Sequence, residues 1–203
     1  MYAKTRNSQG FTLIEMVIVL MIFGLMAAIT IPRAMRVSPR QQVHGAARQV
    51  MRDLEAARMR AISAKRVIRM SFYESKEFYA AYMDVTPTRE GDIQETSVEA
   101  RASRFLARAS DGGIPGADLP NRVVFGSGSA TAGPMGEAIS DPIMFDSDLV
   151  EFDARGMVRP INGVRSGGAI LVVHEDDPSI VAAVTVTGSG AFRSWNWQDG
   201  KWR

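Results

Sequence analysis

GFTLIEMVIVLMIFGLMAAITIP, residues Gly10 to Pro32, is the stretch from which the rest of the chain is read. From Phe11 to Ile31 it carries one formal charge, Glu15. At about 1.5 Å per helical residue the run spans the roughly 30 Å hydrocarbon core of a bilayer, so residues 11–31 are expected to form a transmembrane helix. The carboxylate is costly there. A buried Glu needs a partner, neutralisation or a route to the interface, and Glu15 sits four residues after Phe11, near enough to the segment's start to snorkel. An interfacial anchor and a paired charge are therefore both open readings of Glu15.

Working outward, Lys4 and Arg6 make a short basic leader ahead of Gly10-Phe11-Thr12-Leu13-Ile14-Glu15. A cleaved secretory signal is one reading, because Met26-Ala27-Ala28 is loosely like a small-residue cleavage site, but a Glu at the start of the apolar region argues against it. Basic leader, Gly-Phe-Thr-Leu-Ile-Glu and an apolar helix ending at Pro32 together resemble the prepilin signature of type IV pilins and type II secretion pseudopilins. The resemblance implies that a prepilin peptidase removes leader 1–10 by cutting between Gly10 and Phe11 and methylates the new amine on Phe11. It implies that Glu15 meets the N-terminal ammonium of a neighbouring subunit during assembly. It also implies a single pass through the bacterial inner membrane, with the following domain in the periplasm. The chemistry agrees: an amine at Phe11 buried among apolar helices needs a counter-charge, and a carboxylate one turn along can supply it across a subunit boundary. A single-pass anchored domain that enters no filament is the remaining alternative.

A chain of 203 residues, 46% hydrophobic and 23% charged, suits one anchor plus one compact domain. It contains no cysteine, which excludes disulfides and Cys-based metal or redox chemistry. Charge is unevenly distributed. Residues 1–70 hold twelve Lys and Arg against Glu15, Asp53 and Glu55, a surplus of nine, and residues 71–203 carry an acidic excess of seven. Loss of Lys4 and Arg6 with the leader would leave the side chains balanced, so overall basicity says nothing about nucleic acid. Arg33, Arg36 and Arg40 after the segment outweigh Lys4 and Arg6 before it, so orientation rests on the resemblance rather than on loop charge.

Pro32 is expected to kink or interrupt the long helix before Pro39. Ser38-Pro39-Arg40-Gln41 then offers a cap residue, a proline at the first helical position and a capping-box Gln, starting an amphipathic helix over 38–66. Its apolar stripe is Val43, Ala46, Ala47, Val50, Met51, Leu54, Ala57, Ala61 and Ile62, with Arg48, Arg52, Arg58, Arg60, Lys65 and Arg66 around the remainder. The arginines read as a solvated face or as a face for neighbouring subunits.

Residues 67–203 read as a β-rich globular domain. Val67 to Glu74 and Glu77 to Asp84 pattern as a hairpin about Ser75-Lys76. Residues 87–116 are polar and turn-rich, with a short helix expected near 100–109. A strand follows at 122–125, then a loop over 126–136 without the Lys-Ser/Thr ending of a phosphate-binding loop. Further strands are expected at 142–145, 149–153, 168–174, 180–187 and 191–197, with turns at Asn162-Gly163, Asp177-Pro178 and Gly188-Ser189-Gly190. Such spacing favours antiparallel sheets. Ala46-Ala47-Arg48 through Ala56-Ala57-Arg58, the following hairpin, Val150-Glu151-Phe152-Asp153-Ala154-Arg155-Gly156 and Val184-Thr185-Val186-Thr187-Gly188 resemble the GspH/FimT family of minor pseudopilins. That resemblance implies an α+β fold: a long N-terminal hydrophobic helix followed by an antiparallel β-sandwich. It further implies a minor pseudopilin or minor pilin at or near the tip of a type II secretion or type IV pilus filament, partnered by other pilins.

No active site, cofactor or metal is expected. His44 and His174 are the only histidines, and neither has a recognisable nucleophile or base beside it. Glu175-Asp176-Asp177 and the group Asp146, Asp148, Glu151 and Asp153 lack the spacing of a calcium loop and read as acidic turns. The tail Phe192-Arg193-Ser194-Trp195-Asn196-Trp197-Gln198-Asp199-Gly200-Lys201-Trp202-Arg203 interleaves bases and aromatics, and on a strand Arg193, Trp195 and Trp197 share a face. With Lys201 and Arg203 they could contact DNA, as in some FimT-type proteins of natural transformation, although the repeated Gly-Arg pattern and disulfide associated with those proteins are missing. The other reading is that Trp195 and Trp197 fill the sandwich under Arg193.

Overall fold

The computed structural model describes residues 11–34, 38–88, 91–160 and 167–203, with side chains of 27–34 excepted. The leader through Gly10 and the Asn162-Gly163 turn lie outside the described residues. The chain divides into two units, 1–38 and 39–203.

In the first unit a single helix, α1, runs Leu13–Ala34. It continues through Pro32, and residues 35–37, where an interruption before Pro39 would fall, are not described. No helix among the described residues is long and apolar enough to cross a membrane, and the side chains of α1 are described only as far as Met26.

The second unit opens with α2 (Pro39–Ala64), whose start at a proline exploits that residue's helix-ready φ and its missing N–H. Lys65, in the left-handed region at φ 52°, ends it one to two residues before the expected boundary. Its buried face is Val43, Ala46, Ala47, Val50, Asp53, Leu54, Ala57 and Ala61. Asp53 is thus inside rather than solvated, whereas Ile62 lies at the exposed margin.

Two five-stranded antiparallel sheets follow. The first comprises β1 (Ile68–Tyr73), β2 (Phe78–Met83), β3 (Ala109–Asp111), β4 (Ile114–Asp118) and β6 (Leu149–Phe152), in the order β3-β4-β2-β1-β6. The second comprises β5 (Val123–Phe125), β7 (Gly168–His174), β8 (Asp177–Val186), β9 (Phe192–Gln198) and β10 (Lys201–Trp202), in the order β10-β9-β8-β7-β5. The β1–β2 hairpin pairs Tyr73 with Phe78, so its connection is a 3-10 turn over Glu74–Lys76 closed by Glu77 at φ 49°, not a two-residue turn at Ser75-Lys76. Without an Asn-Gly or Gly-rich pair to adopt the tight turn, the chain uses a longer one.

One core joins α2 to both sheets. Val43, Val50 and Leu54 of α2 pack with Ile68, Met70, Tyr79 and Phe152 of the first sheet and Ile170, Val172 and Val184 of the second. The outer faces are also covered. On the first sheet, Phe78, Ala80 and Tyr82 pack with Ile93 and Ala100. On the second, Ala169, Leu171 and Ala183 pack with Ile139, Met144, Trp195 and Trp202. This double burial explains why Gly168–His174 is buried along its whole length instead of alternating.

Residues 87–136, which the sequence left without a role, supply the covering of the first sheet through Ile93 and Ala100 and one edge strand of each sheet, β3 and β5. Their helix, α3, is Ser97–Ser103 rather than 100–109, because Thr96 and Glu99 form a capping box that starts it early and Arg104 at φ 62° stops it. Arg69 fastens the same segment to the sheet through Ile93 O at 3.0 Å and Glu95 Oε1 at 3.3 Å. The strand expected at 142–145 reduces to a single bridge, Ile143 to Ile170.

Candidate functional site

The N-terminal candidates sit on the first turn of α1. Thr12 is its cap: its hydroxyl accepts the Glu15 N–H at 3.3 Å and its carbonyl accepts the Met16 N–H at 3.3 Å. Glu15 is thereby fixed at the third helical position, in the turn where the helix macrodipole favours a carboxylate. Phe11 is the residue before the cap and is 78% exposed. Beyond it every large apolar side chain to Met26 is exposed, from Leu13 at 83% to Val17 and Val19 at 39%. Covering such a side chain fully is worth about 1.5–3 kcal/mol, so this surface has a strong drive to be covered all round. Thr12 was missed in the sequence, although Thr12-Leu13-Ile14-Glu15 has the capping-box spacing that could have found it.

The C-terminal candidates lie on the outer face of the second sheet. Register pairs Arg193 with Thr185 and Trp195 with Ala183, placing both side chains on the side away from the shared core. The Arg193 guanidinium carbon stands 3.9 Å from the centroid of the Trp195 ring. Trp195 Nε1 donates to Thr185 Oγ1 at 3.0 Å. Trp197 meets Trp202 edge to face at 5.1 Å, and Trp202 Nε1 donates to Ala132 O at 2.7 Å. The tryptophans are half-buried and do not fill the interior; that position belongs to Phe192, which points the other way onto Phe152 at 5.9 Å. Arg193, Lys201 and Arg203 are exposed, Arg203 lying 3.5 Å from Asp199. Trp202 was missed with β10, although Asp199-Gly200 at φ 52° and 71° is the hairpin signal that announces it.

Several of the remaining polar candidates are held in structural contacts. His174 Nδ1 accepts the Asp176 N–H at 3.2 Å, which leaves Nε2 to donate to Gln42 Oε1 at 3.3 Å. Burial, then Arg48 and Arg40, hold the His44 imidazole below its ordinary range. Glu151 receives Arg69 at 2.7 Å, Asp153 receives Arg155 at 2.9 Å and Asp176 receives Arg122 at 2.9 Å. Among the described residues no group of three or more His, Asp or Glu side chains is placed to hold a metal ion.

Residues 5–31 match the prokaryotic N-terminal methylation motif, so the chain carries a prepilin-type signature. No curated protein sequence matches the chain. Among solved structures it is similar to the minor pseudopilin EpsH from the type 2 secretion system of Vibrio cholerae, at 11% identity and a TM-score of 0.45 over 75% of this chain and 95% of that one. It is similar also to the type IV minor pilin FimU of Pseudomonas aeruginosa, at 11% identity and a TM-score of 0.43 over 81% and 94%.

Proposed function

We propose that this chain is a structural subunit, a minor pseudopilin or minor pilin, inserted in the inner membrane by residues 11–31 and incorporated at or near the tip of a type II secretion or type IV pilus filament. The observation that carries the reading is the methylation motif over 5–31, with Glu15 held in the first turn by Thr12 on an apolar helix exposed all round. A peptidase cut after Gly10 leaves the Phe11 amine one turn from Glu15. In a bundle of such helices an ammonium and a carboxylate from adjacent copies neutralise each other, which sets the register between subunits. Mass spectrometry of the mature N-terminus tests this. Methyl-Phe11 is expected; an intact Met1 would leave a membrane anchor and no filament subunit.

A second reading, DNA contact by a transformation pilus, is favoured by one feature, the Arg193-Trp195 stack beside exposed Lys201 and Arg203. It requires salt-dependent retardation of DNA by the full-length chain in detergent, lost in the Arg193→Ala, Lys201→Ala double variant. Absence of a shift at low salt ends it.

A further inference from the structure

Just past the last turn of α2, cations gather around one open cavity. The Lys65 N–H donates to Ile62 O at 3.3 Å and the Arg66 N–H to Ala61 O at 3.2 Å, so the helix carbonyls are capped and two basic residues in succession leave the helix. With Arg155 and Arg159 these residues line about 440 Å³, in which Asp153 is the one carboxylate among the described residues. Backbone, more than counter-charge, sets their positions. Arg66 Nη1 donates to the carbonyls of Asp84 and Thr86, both at 2.9 Å, which fixes the guanidinium without cancelling its charge. Asp84 shapes the segment that offers those carbonyls: its Oδ1 accepts the Thr86 N–H at 2.8 Å and hydroxyl at 2.6 Å, and its Oδ2 accepts the Gly91 N–H at 2.8 Å. Gly91, at φ 86°, stands where a Cβ would collide with the Arg159 guanidinium, so glycine makes room for that side chain.

The carboxylates nearby do not balance these charges. Asp153 is spent in its own turn, where Oδ1 accepts the Arg155 and Met157 N–H groups at 2.8 and 3.0 Å and Oδ2 accepts Arg155 Nη2 at 2.9 Å. Arg159 Nη1 is buried with no hydrogen-bond partner, and its counter-charge, Glu151 Oε2 at 3.5 Å, belongs to a carboxylate that already receives Arg69 at 2.7 Å. Lys65 makes no ion pair among the described residues. Two further cations stand behind the walls: Arg58, whose Nε donates to Gly156 O at 2.9 Å, and Arg69, which also reaches Glu95 at 3.3 Å. At and behind the cavity the described residues thus hold six cations against Asp84, Glu95, Glu151 and Asp153, leaving two positive charges unmatched.

We propose that this cavity is a binding site for a phosphate monoester dianion, held between Lys65 and Arg66 at the end of α2 and Arg155 and Arg159 on the facing wall. Guanidinium forks pair with two oxygens of a phosphoryl group at once, and a flanking ammonium adds a point charge. A carboxylate or a phosphodiester carries one charge and leaves the surplus half matched. The volume exceeds that of a phosphoryl group, so the esterified alcohol has room beside it. That alcohol belongs either to a lipid, as in a phosphatidic acid headgroup, or to a small soluble ester; the monoester phosphate is common to both.

The test titrates the full-length chain, in detergent micelles at low ionic strength, with inorganic phosphate, glycerol 3-phosphate and dihexanoyl phosphatidic acid, read by calorimetry. Saturable binding at one site per chain is expected. Lys65 and Arg155 are exposed, and the Lys65→Gln, Arg155→Gln double variant should bind each ligand at least tenfold more weakly. Lys65→Gln alone should weaken binding at least threefold at an unchanged Tm, which separates loss of the site from loss of the fold. Arg48→Gln, an exposed cation about 25 Å back along α2, should leave binding as it is. Phosphatidic acid bound at least tenfold more tightly than glycerol 3-phosphate assigns the site to a lipid headgroup, and equal affinities assign it to a soluble ester. The proposal is overturned by the absence of saturation at about 10 mM phosphate, by equal affinity of Lys65→Gln and the unaltered chain, or by tighter binding of dimethyl phosphate than of the monoester.

Discussion

The Tyr79 hydroxyl donates to Asp53 Oδ2 at 2.6 Å, joining β2 to α2 through a carboxylate that is 7% exposed. Arg108 closes on the same carboxylate through both of its terminal nitrogens, one at 3.0 Å, and Gln49 Nε2 reaches the Tyr79 oxygen at 3.3 Å. Burial, then the Asp53 charge, pushes the Tyr79 phenol far above its ordinary range, so it remains a donor at any physiological pH. This cluster locks the edge of the first sheet onto the helix.

Asp53→Ala strands a buried hydroxyl and a guanidinium together. It should cost about 2 kcal/mol in urea denaturation, less than a fully buried ion pair would because the Arg108 side chain is 47% exposed. Asp53→Asn, which still accepts from Tyr79, should lose less. Equal stability of Asp53→Ala and the unaltered chain would deny the cluster its structural role.

Acid stability should depend on Asp84. Burial raises its carboxyl, but the Thr86 hydroxyl and N–H, the Gly91 N–H and Arg66 together hold it below the ordinary carboxylate range. A group depressed in the folded state contributes stability above its unfolded pKa, near 3.9, that is lost as pH falls through the folded value. Tm should therefore drop below about pH 4, and Asp84→Asn should flatten that drop while lowering Tm at pH 7. A parallel acid limb in both proteins would reassign the effect to other groups.

Glu15→Ala should leave cleavage after Gly10 intact and reduce filament incorporation at least tenfold, scored by mass spectrometry of the N-terminus and by recovery in sheared filaments. Thr12→Ala removes the cap while keeping the charge, costing about 1 kcal/mol of helix stability, and should speed exchange of the Glu15 amide. Normal incorporation of Glu15→Ala would count against the neutralisation role.

Gly190, at φ 78°, lies where an added Cβ would meet Gly156 O at 2.4 Å, and Arg58 Nε donates to that same carbonyl at 2.9 Å. Gly190→Ala should cost about 1–3 kcal/mol through strain and loss of this approach. Thermal denaturation reads it directly, and an unchanged Tm would mean that the two loops separate at no cost.

Much of the frame was legible because its residues repeat at simple periods. Pro39 and the Val43 to Ala61 stripe gave α2, β-branched runs between turn residues gave β7 and β8, and the aromatic run Phe192 to Trp197 gave β9. Asp53 escaped because a carboxylate reads as solvated until Tyr79 and Arg108, distant in sequence, converge on it. The outward orientation of Trp195 and Trp197 depends on which face Phe192 takes, and that is decided by register with Ala183 and Thr185. Residues 87–136 were opaque because their strands are only three to five residues long and join the sheets at or next to an edge, too short to show a period.

Gln42 meets His174 across 132 positions of chain, and Arg58 meets Gly156 across 98. Contacts of such separation form late, after the entropy of closing long loops has been overcome, so the domain folds slowly for its size. Until β7 to β9 exist, the apolar stripe of α2 has no sheet to lie against on that side. A ribosome-bound chain of this sequence accordingly presents an amphipathic helix whose apolar stripe stays uncovered on one side until the last third of the polypeptide has emerged.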